Sequence, residues 1–343
     1  MRTLSPATVK QLVKKVIGKN NLSRQEIFYF LDNIAIGRVT STEIVDFLSA
    51  LAIKGETAEE VFYFAEFISQ NALHIGPFEN ALDIHGTGGD GSGSFNISST
   101  VIFVVSAAGV TIAKHGNRSS SGRSGAADVL EALGVNINLE PKEVEDCIKR
   151  IGMGFMFAQK FHPKLQAIAE PRRRVGTPTV FNKAFPLVSP ANVKNHFLGV
   201  TDWRLAPLFA DVLKKSGCKR FALVHGRDPM DEVSLSSETD VWEYLDGKER
   251  QYVVTPESFG FTKKPLSEIR GGTPEDNAQI TKDILSGKEQ GPKRDIVILN
   301  AAVSFVVAGK VHSVADGVSL ARDAISSGKA IGKLNELIRF SNG

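Results

Sequence analysis

Glycine constrains this chain more than any other residue, because it clusters in two stretches that each follow a short apolar run. The first, Gly86-Thr87-Gly88-Gly89-Asp90-Gly91, follows Ala81–His85 and leads into Phe95-Asn96-Ile97-Ser98-Ser99. The second follows Val110–Ala113 and reads Lys114-His115-Gly116-Asn117-Arg118, then Ser119-Ser120-Ser121-Gly122-Arg123-Ser124-Gly125. Short strand, glycine loop and helix in succession predict an α/β domain with a mainly parallel central sheet. The loops then fall at the carboxyl ends of strands, where such sheets bind ligands. Glycine lets backbone N–H groups approach an anion closely. Small hydroxyls, the Asn117 amide and the Lys114 ammonium add donors, so the two stretches together describe a phosphate cradle. The spacing matches neither a P-loop nor a Rossmann fingerprint, which argues against an ordinary ATPase or dehydrogenase.

Ahead of the loops, the first seventy or so residues read as short amphipathic helices. Ser5-Pro6 is the expected first N-cap and helix start, with Val9, Leu12, Val13, Val16 and Ile17 on one face and Gly18 as the stop. Ser23 with Glu26, Thr40 with Glu43 and Thr57 with Glu60 have capping-box spacing. Phe62, Phe64, Phe67 and Ile68 give the fourth helix more apolar surface than one stripe needs, for either core or a dimer face. Further on, Ser99–Ala108 and Asp128–Leu133 read as helices, and Gly154–Phe157 and Arg220–His225 as buried strands. Asp295–Leu299 reads as another strand, with a helix starting at Asn300.

The remaining chemistry lies at Asp231-Glu232, after the Arg220–His225 strand. Hard oxygen ligands on a loop are what Mg²⁺ uses when it bridges substrate phosphates. In isolation an adjacent acidic pair reads equally well as solvated surface. Beside two phosphate-shaped loops it acquires a purpose. A net charge of +3 over 343 residues does not indicate a dominant nucleic-acid or acidic-membrane role. Cys147 and Cys218 are too few for a disulfide framework and have no metal-ligand spacing, so packed thiols in a reducing cytoplasm are expected. The N-terminus lacks the apolar core of a signal peptide, and Val101–Ala113 is too short and interrupted to span a bilayer. His74, His196, His225 and His312 show no ligand or nucleophile–base spacing and read as structural.

The Gly86–Asp90 loop, Asn96-Ile97-Ser98, Lys114–Arg118 and Asp231-Glu232 together resemble the anthranilate phosphoribosyltransferase family. Gly152–His162, Gly271-Gly272, Asn277-Ala278 and Asn300–Ala302 extend the likeness over nearly the whole chain. The resemblance implies a small helical N-terminal domain hinged to a large α/β domain, of the nucleoside phosphorylase/phosphoribosyltransferase type. The expected boundaries are 1–74, joined by part of 165–192, and then 75–164 with 193–343. It also implies a cytoplasmic homodimer joined through the helical domain, with no membrane partner. The implied reaction moves the 5-phosphoribosyl group from phosphoribosyl pyrophosphate to the amino group of anthranilate, in tryptophan biosynthesis, with Mg²⁺.

Carried over by position, Gly86, Gly89, Asp90, Asn96, Ser98, Lys114, Asn117 and Ser119 would hold phosphoribosyl pyrophosphate. Ser98, Asp231 and Glu232 would organise magnesium. Gly86, His115, Asn117, His162 and Arg172 would line the path of anthranilate, with Arg172 facing its carboxylate. No residue is assigned as acid or base. The likeness departs at Pro178-Thr179, where the family usually has arginine before threonine, and at Phe185, which replaces a glycine. His85 also stands where the family often has a small apolar residue. These departures point to a compensated loop or to a different aromatic acceptor. A pyrimidine-type nucleoside phosphorylase would place a lysine ahead of its glycine turn, where this chain has Ile84-His85-Gly86. An inactive nucleic-acid-binding relative would need a clustered basic face.

Overall fold

The computed structural model describes residues 8–119, 124–228 and 230–343, and the chain divides into two compact units. Ser5-Pro6 and the Ser120–Arg123 part of the second glycine stretch lie outside the described residues.

One unit is helical and comprises the chain up to Leu73 together with Phe161–Val188 and Pro207–Ser216. The inserted segment therefore begins earlier than the expected 165, ends at Val188 and is joined by a further stretch. Its first four helices are α1 (Val9–Ile17), α2 (Arg24–Ala35), α3 (Ser41–Lys54) and α4 (Ala58–Gln70). Thr8 caps α1 through a capping box with Gln11, in place of the expected Ser5. Ser23, Thr40 and Thr57 cap the next three as their spacing requires. Each box satisfies backbone N–H groups that the first turn leaves without partners. On α1 only Leu12 and Val16 are buried, and Ile17 is 67% exposed. Phe30 and Phe47 stack with ring centroids 3.8 Å apart, joining α2 to α3. Phe64, Phe67 and Ile68 are core, so most of the surplus apolar surface of α4 is used inside the unit.

The other unit carries a seven-stranded sheet of order β3-β2-β1-β4-β5-β6-β7. The strands are β1 (Leu82–Gly86), β2 (Ile112–Gly116), β3 (Met153–Phe157), β4 (Asn195–Gly199), β5 (Arg220–Gly226), β6 (Thr239–Leu245) and β7 (Lys248–Val254). The first five are parallel; β6 and β7 form an antiparallel hairpin on the edge. Strand order reverses between β1 and β4, which makes that pair the topological switch point. On β1 and β2 packs α5 (Ile97–Ala107), buried from Val101 through Ser106. The predicted strand Asp295–Leu299 is instead the start of one helix, Pro292–Val307, entered through proline in its first turn. Every residue from Ile296 to Val307 is buried. A helix covered on all sides has no apolar stripe, so its β-branched run looks like a buried strand. Cys147 and Cys218 are buried free thiols, each pushed up to about 12 by burial. Among the described residues no helix is long and apolar enough to cross a membrane.

Candidate active site at the strand switch point

β1 and β4 both end in glycine, and one residue explains both. A Cβ on Gly86 would run into the Asp231 carboxylate, and a Cβ on Gly199 into the Asp231 carbonyl. The absence of side chains at the two strand ends therefore makes the space in which Asp231 sits. Its Oδ2 accepts the Gly88 N–H at 2.7 Å, and the Thr87 N–H donates to the Gly199 carbonyl at 2.9 Å. Gly88, Gly89, Gly91 and Gly93 all have positive φ, which turns successive loop amides in a way an L side chain resists.

Glu232 follows, almost fully buried, its Oε1 accepting the Ser98 N–H at 3.1 Å near the start of α5. The next residue, Val233, is fixed by a reciprocal pair with Asn300: its N–H donates to Oδ1 at 2.8 Å, and Asn300 Nδ2 donates to its carbonyl at 2.9 Å. Asn300 thus holds the acidic loop against the helix Pro292–Val307, a role its position in the sequence does not disclose. Glu232 Oε2 and Asp90 Oδ2 are inaccessible and have no partner among the described residues. Burial, with Asp90 nearby, pushes Asp231 up to about 7; burial, with Asp231 nearby, pushes Glu232 well above the usual carboxylate range. Crowded, desolvated carboxylate oxygens of this kind call for a cation.

Lys114 is 1% exposed, so it is no solvated surface charge. Its Nζ donates to the Ile84 carbonyl, and burial lowers its pKa while Asp83 and Glu232 oppose that shift. The amide of Asn96 is already engaged: Oδ1 accepts from Ser124 Oγ and Asn277 Nδ2, each at 2.9 Å, and Nδ2 donates to the Ser124 carbonyl. Asn277 Oδ1 in turn accepts the Gly272 N–H. Asn96 and Asn277 thereby join three glycine-containing segments. In the second loop Asn117 Oδ1 accepts the Arg118 N–H, and the Ser119 N–H donates to Asp128 at 3.0 Å. His115 is buried, and its N–H donates to Asp83 Oδ1.

Gly86, Gly89, Asp90, Asn96, Ser98, Lys114, His115, Asn117, Ser119, Asp231 and Glu232 therefore all belong to the α/β unit. His162 and Arg172 belong to the helical unit, together with Phe185. There the Phe185 ring meets the buried His162 ring edge-on at 5.5 Å between centroids. The Arg172 guanidinium lies 5.4 Å over Phe181 and 5.6 Å over Phe185, and it donates to Asn182 Oδ1 at 3.3 Å. Burial pushes it down to about 10, still fully cationic near neutrality.

Known proteins share both units. Residues 10–72 match the glycosyl transferase family helical bundle domain, and residues 79–331 its a/b domain. An anthranilate phosphoribosyltransferase of Acetivibrio thermocellus is 44% identical over 335 residues, 97% of each chain. The crystal structure of anthranilate phosphoribosyltransferase from Thermus thermophilus superposes with a TM-score of 0.89 at 38% identity, covering 97% of this chain and 99% of that one. The Saccharomyces cerevisiae enzyme in complex with PRPP and Mg also superposes at 0.89, with 28% identity over 98% and 99%. By identity and coverage along its whole length, the chain belongs to the anthranilate phosphoribosyltransferase family.

Proposed function

We propose that this chain transfers the 5-phosphoribosyl group of phosphoribosyl pyrophosphate to the amino group of anthranilate. The C1–oxygen bond breaks with its electron pair leaving on pyrophosphate. The neutral amine's lone pair forms the C1–nitrogen bond, and the amine then sheds one proton. No strong base is needed, since an aniline nitrogen attacks as the free amine. The reading rests on one observation: Asp231 wedged against Gly86 and Gly199, with Glu232 Oε2 and Asp90 Oδ2 buried and unpartnered beside it.

Those oxygens fit a hard divalent cation. Asp231 and Glu232, with the Ser98 hydroxyl, would hold magnesium, which supplies Lewis-acid stabilisation of the pyrophosphate leaving group. The chain's own part is to bind and orient. The Gly89 amide of the loop, with the Lys114 ammonium, would supply positive potential for phosphate oxygens, while the Gly88 N–H is spent on Asp231. Asn96, locked by Ser124 and Asn277, keeps the glycine segments in register. On the acceptor side, within the helical unit, Arg172 would pair with the anthranilate carboxylate, with His162 along its path. A homodimer joined through the helical unit is part of the same proposal, supported by exposed Ile17, Ile36 and Ile53 on that unit.

A second reading, a different aromatic or heterocyclic amine as acceptor, is favoured by Phe185, whose ring packs on both His162 and Arg172. Anthranilate fluorescence separates the two. Its loss, requiring enzyme, phosphoribosyl pyrophosphate and Mg²⁺ together, is the expected result. Persistent fluorescence alongside binding of phosphoribosyl pyrophosphate would transfer the proposal to another acceptor. Asp231→Asn combined with Glu232→Gln should abolish turnover with the fold retained; unchanged magnesium-dependent activity would refute the metal assignment.

A further inference from the structure

A second group of ligand-type side chains lies beside the switch point, distinct from Asp231 and Glu232. Asp83 and His85 alternate onto one face of β1, and His196 stands directly across from Asp83 in the parallel register of β4. One nitrogen from each ring and one Asp83 oxygen all lie within 4.8 Å of one another.

The hydrogen bonds leave the metal-binding lone pairs bare. His196 Nε2 lies 3.3 Å from the Val193 carbonyl, which can only accept, so Nε2 carries the proton and Nδ1 presents its lone pair. That Nδ1 is buried and has no partner among the described residues. Asp83 Oδ1 takes the His115 N–H at 3.2 Å, while Oδ2 is buried, unpartnered and 3.8 Å from His85 Nε2. An imidazole oriented by a backbone carbonyl through its other nitrogen is the usual supporting arrangement of a histidine ligand.

We propose that Asp83, His85 and His196 form a binding site for one divalent transition-metal ion of the zinc class, held by two imidazoles and a carboxylate. Neutral imidazoles are what such ions require, and burial keeps both rings neutral: it lowers His85 well below its ordinary value and His196 to about 4. A tetrahedral ion with bonds near 2.0–2.1 Å places ligand atoms about 3.4 Å apart, a contraction small enough for side-chain rotation. The Lys114 ammonium, whose field reaches both Asp83 and His85, penalises any cation bound by charge alone. The site therefore selects ions that bond strongly to nitrogen over Mg²⁺ or Ca²⁺. Bound metal would cross-link β1 to β4 just before the glycines that end them. His85, with 11% of its side chain exposed, marks the side open to a further ligand.

The test is a titration of chelator-treated full-length protein with Co²⁺ in excess Mg²⁺, read by ligand-field absorption and by displacement with Zn²⁺. One Co²⁺ per chain is expected, with a spectrum retained in the Asp231→Asn, Glu232→Gln double variant. Affinity should fall by about tenfold or more in His85→Val and in His196→Gln, the range typical for disturbing a metal shell. Thermal melts identify any variant that fails to fold, and His85→Val, at the edge of the cluster, decides if His196→Gln does. Absence of stoichiometric Co²⁺ binding would overturn the assignment. So would binding untouched by a folded His85→Val, or lost in the Asp231, Glu232 double variant.

Discussion

Replacing Gly199 with alanine tests whether the strand ends shape the acidic site. Gly199 is not among the positive-φ glycines, so alanine suits its backbone and the perturbation is purely steric. The added Cβ would overlap the carbonyl of Asp231 and lie 3.2 Å from its Cα. To restore ordinary contact the Asp231 backbone must retreat by roughly 1 Å or more, a typical overpacking response. The retreat cannot be absorbed downstream, because Val233 is fixed at both backbone groups by Asn300. A misplacement of about 1 Å costs on the order of a hundredfold in rate, or about 2.7 kcal/mol of transition-state stabilisation. Overpacking itself should remove about 1–3 kcal/mol of stability, leaving the protein folded at assay temperature. The assay is the initial rate of anthranilate fluorescence loss over a Mg²⁺ series, with a thermal melt of the same sample. Gly332→Ala is the control. Nothing lies within 4 Å of its Cβ position and it sits inside the helix Lys329–Asn342, so alanine should be neutral or stabilise by up to about 1 kcal/mol. A Gly199→Ala protein within about threefold of wild-type kcat/KM, with an unchanged Mg²⁺ requirement, would refute the reasoning.

Glu60 is fully buried, accepts the Leu22 and Thr57 N–H groups at 2.9 Å each, and pairs with Lys54 at 2.7 Å. Glu60→Ala should destabilise by about 3–5 kcal/mol, since it leaves a buried ammonium without its counterion and two amides without acceptors; a loss under about 1 kcal/mol in denaturant melts would contradict this. His196 is held neutral, its pKa lowered to about 4 from 6.5 by burial. The unfolded chain takes up that proton first, so the stability His196 contributes is complete above pH 6.5 and is lost as pH falls towards 4, by up to about 3 kcal/mol. Asp83 and Asp231, both raised to about 7 by burial, act with the opposite sign, losing stability as pH rises from about 4 to about 7. Comparing metal-free wild type with His196→Gln isolates the histidine; identical slopes between pH 6.5 and 4 would exclude its contribution. Phe185→Gly removes the ring that packs on His162 and Arg172. It should change KM for anthranilate and leave KM for phosphoribosyl pyrophosphate alone; a change in the latter only would remove Phe185 from the acceptor side.

The capping boxes at Ser23, Thr40 and Thr57 were legible because a cap is written within four consecutive residues. The glycine loops were legible for a similar reason: positive φ is a local demand, and glycine is its local signature. Strand β4 and the β6–β7 hairpin are not among the strands expected from the sequence, and the helix Pro292–Val307 looks like a strand at its start. Full burial erases the periodicity on which such readings depend in β4 and in that helix; the hairpin is half exposed and turns at Asp246-Gly247, a local signal that the sequence does carry. Motif order picks out the glycine loops and the acidic pair, and whole-chain resemblance assigns them to one family.

Only the tertiary structure decided what stands next to what. Asp231 occupies space made by two glycines from different strands, Asn300 fixes the residue after Glu232, and Lys114 is buried where sequence allowed it to be solvated. His85 and His196 read as unrelated residues until β1 and β4 are paired, because strand register is a long-range property that no local spacing encodes. Sequence by itself determined the parts, since φ preference, capping and donor type reside in single residues and their near neighbours. The site is a matter of distances across the sheet, and those exist only once the chain has folded.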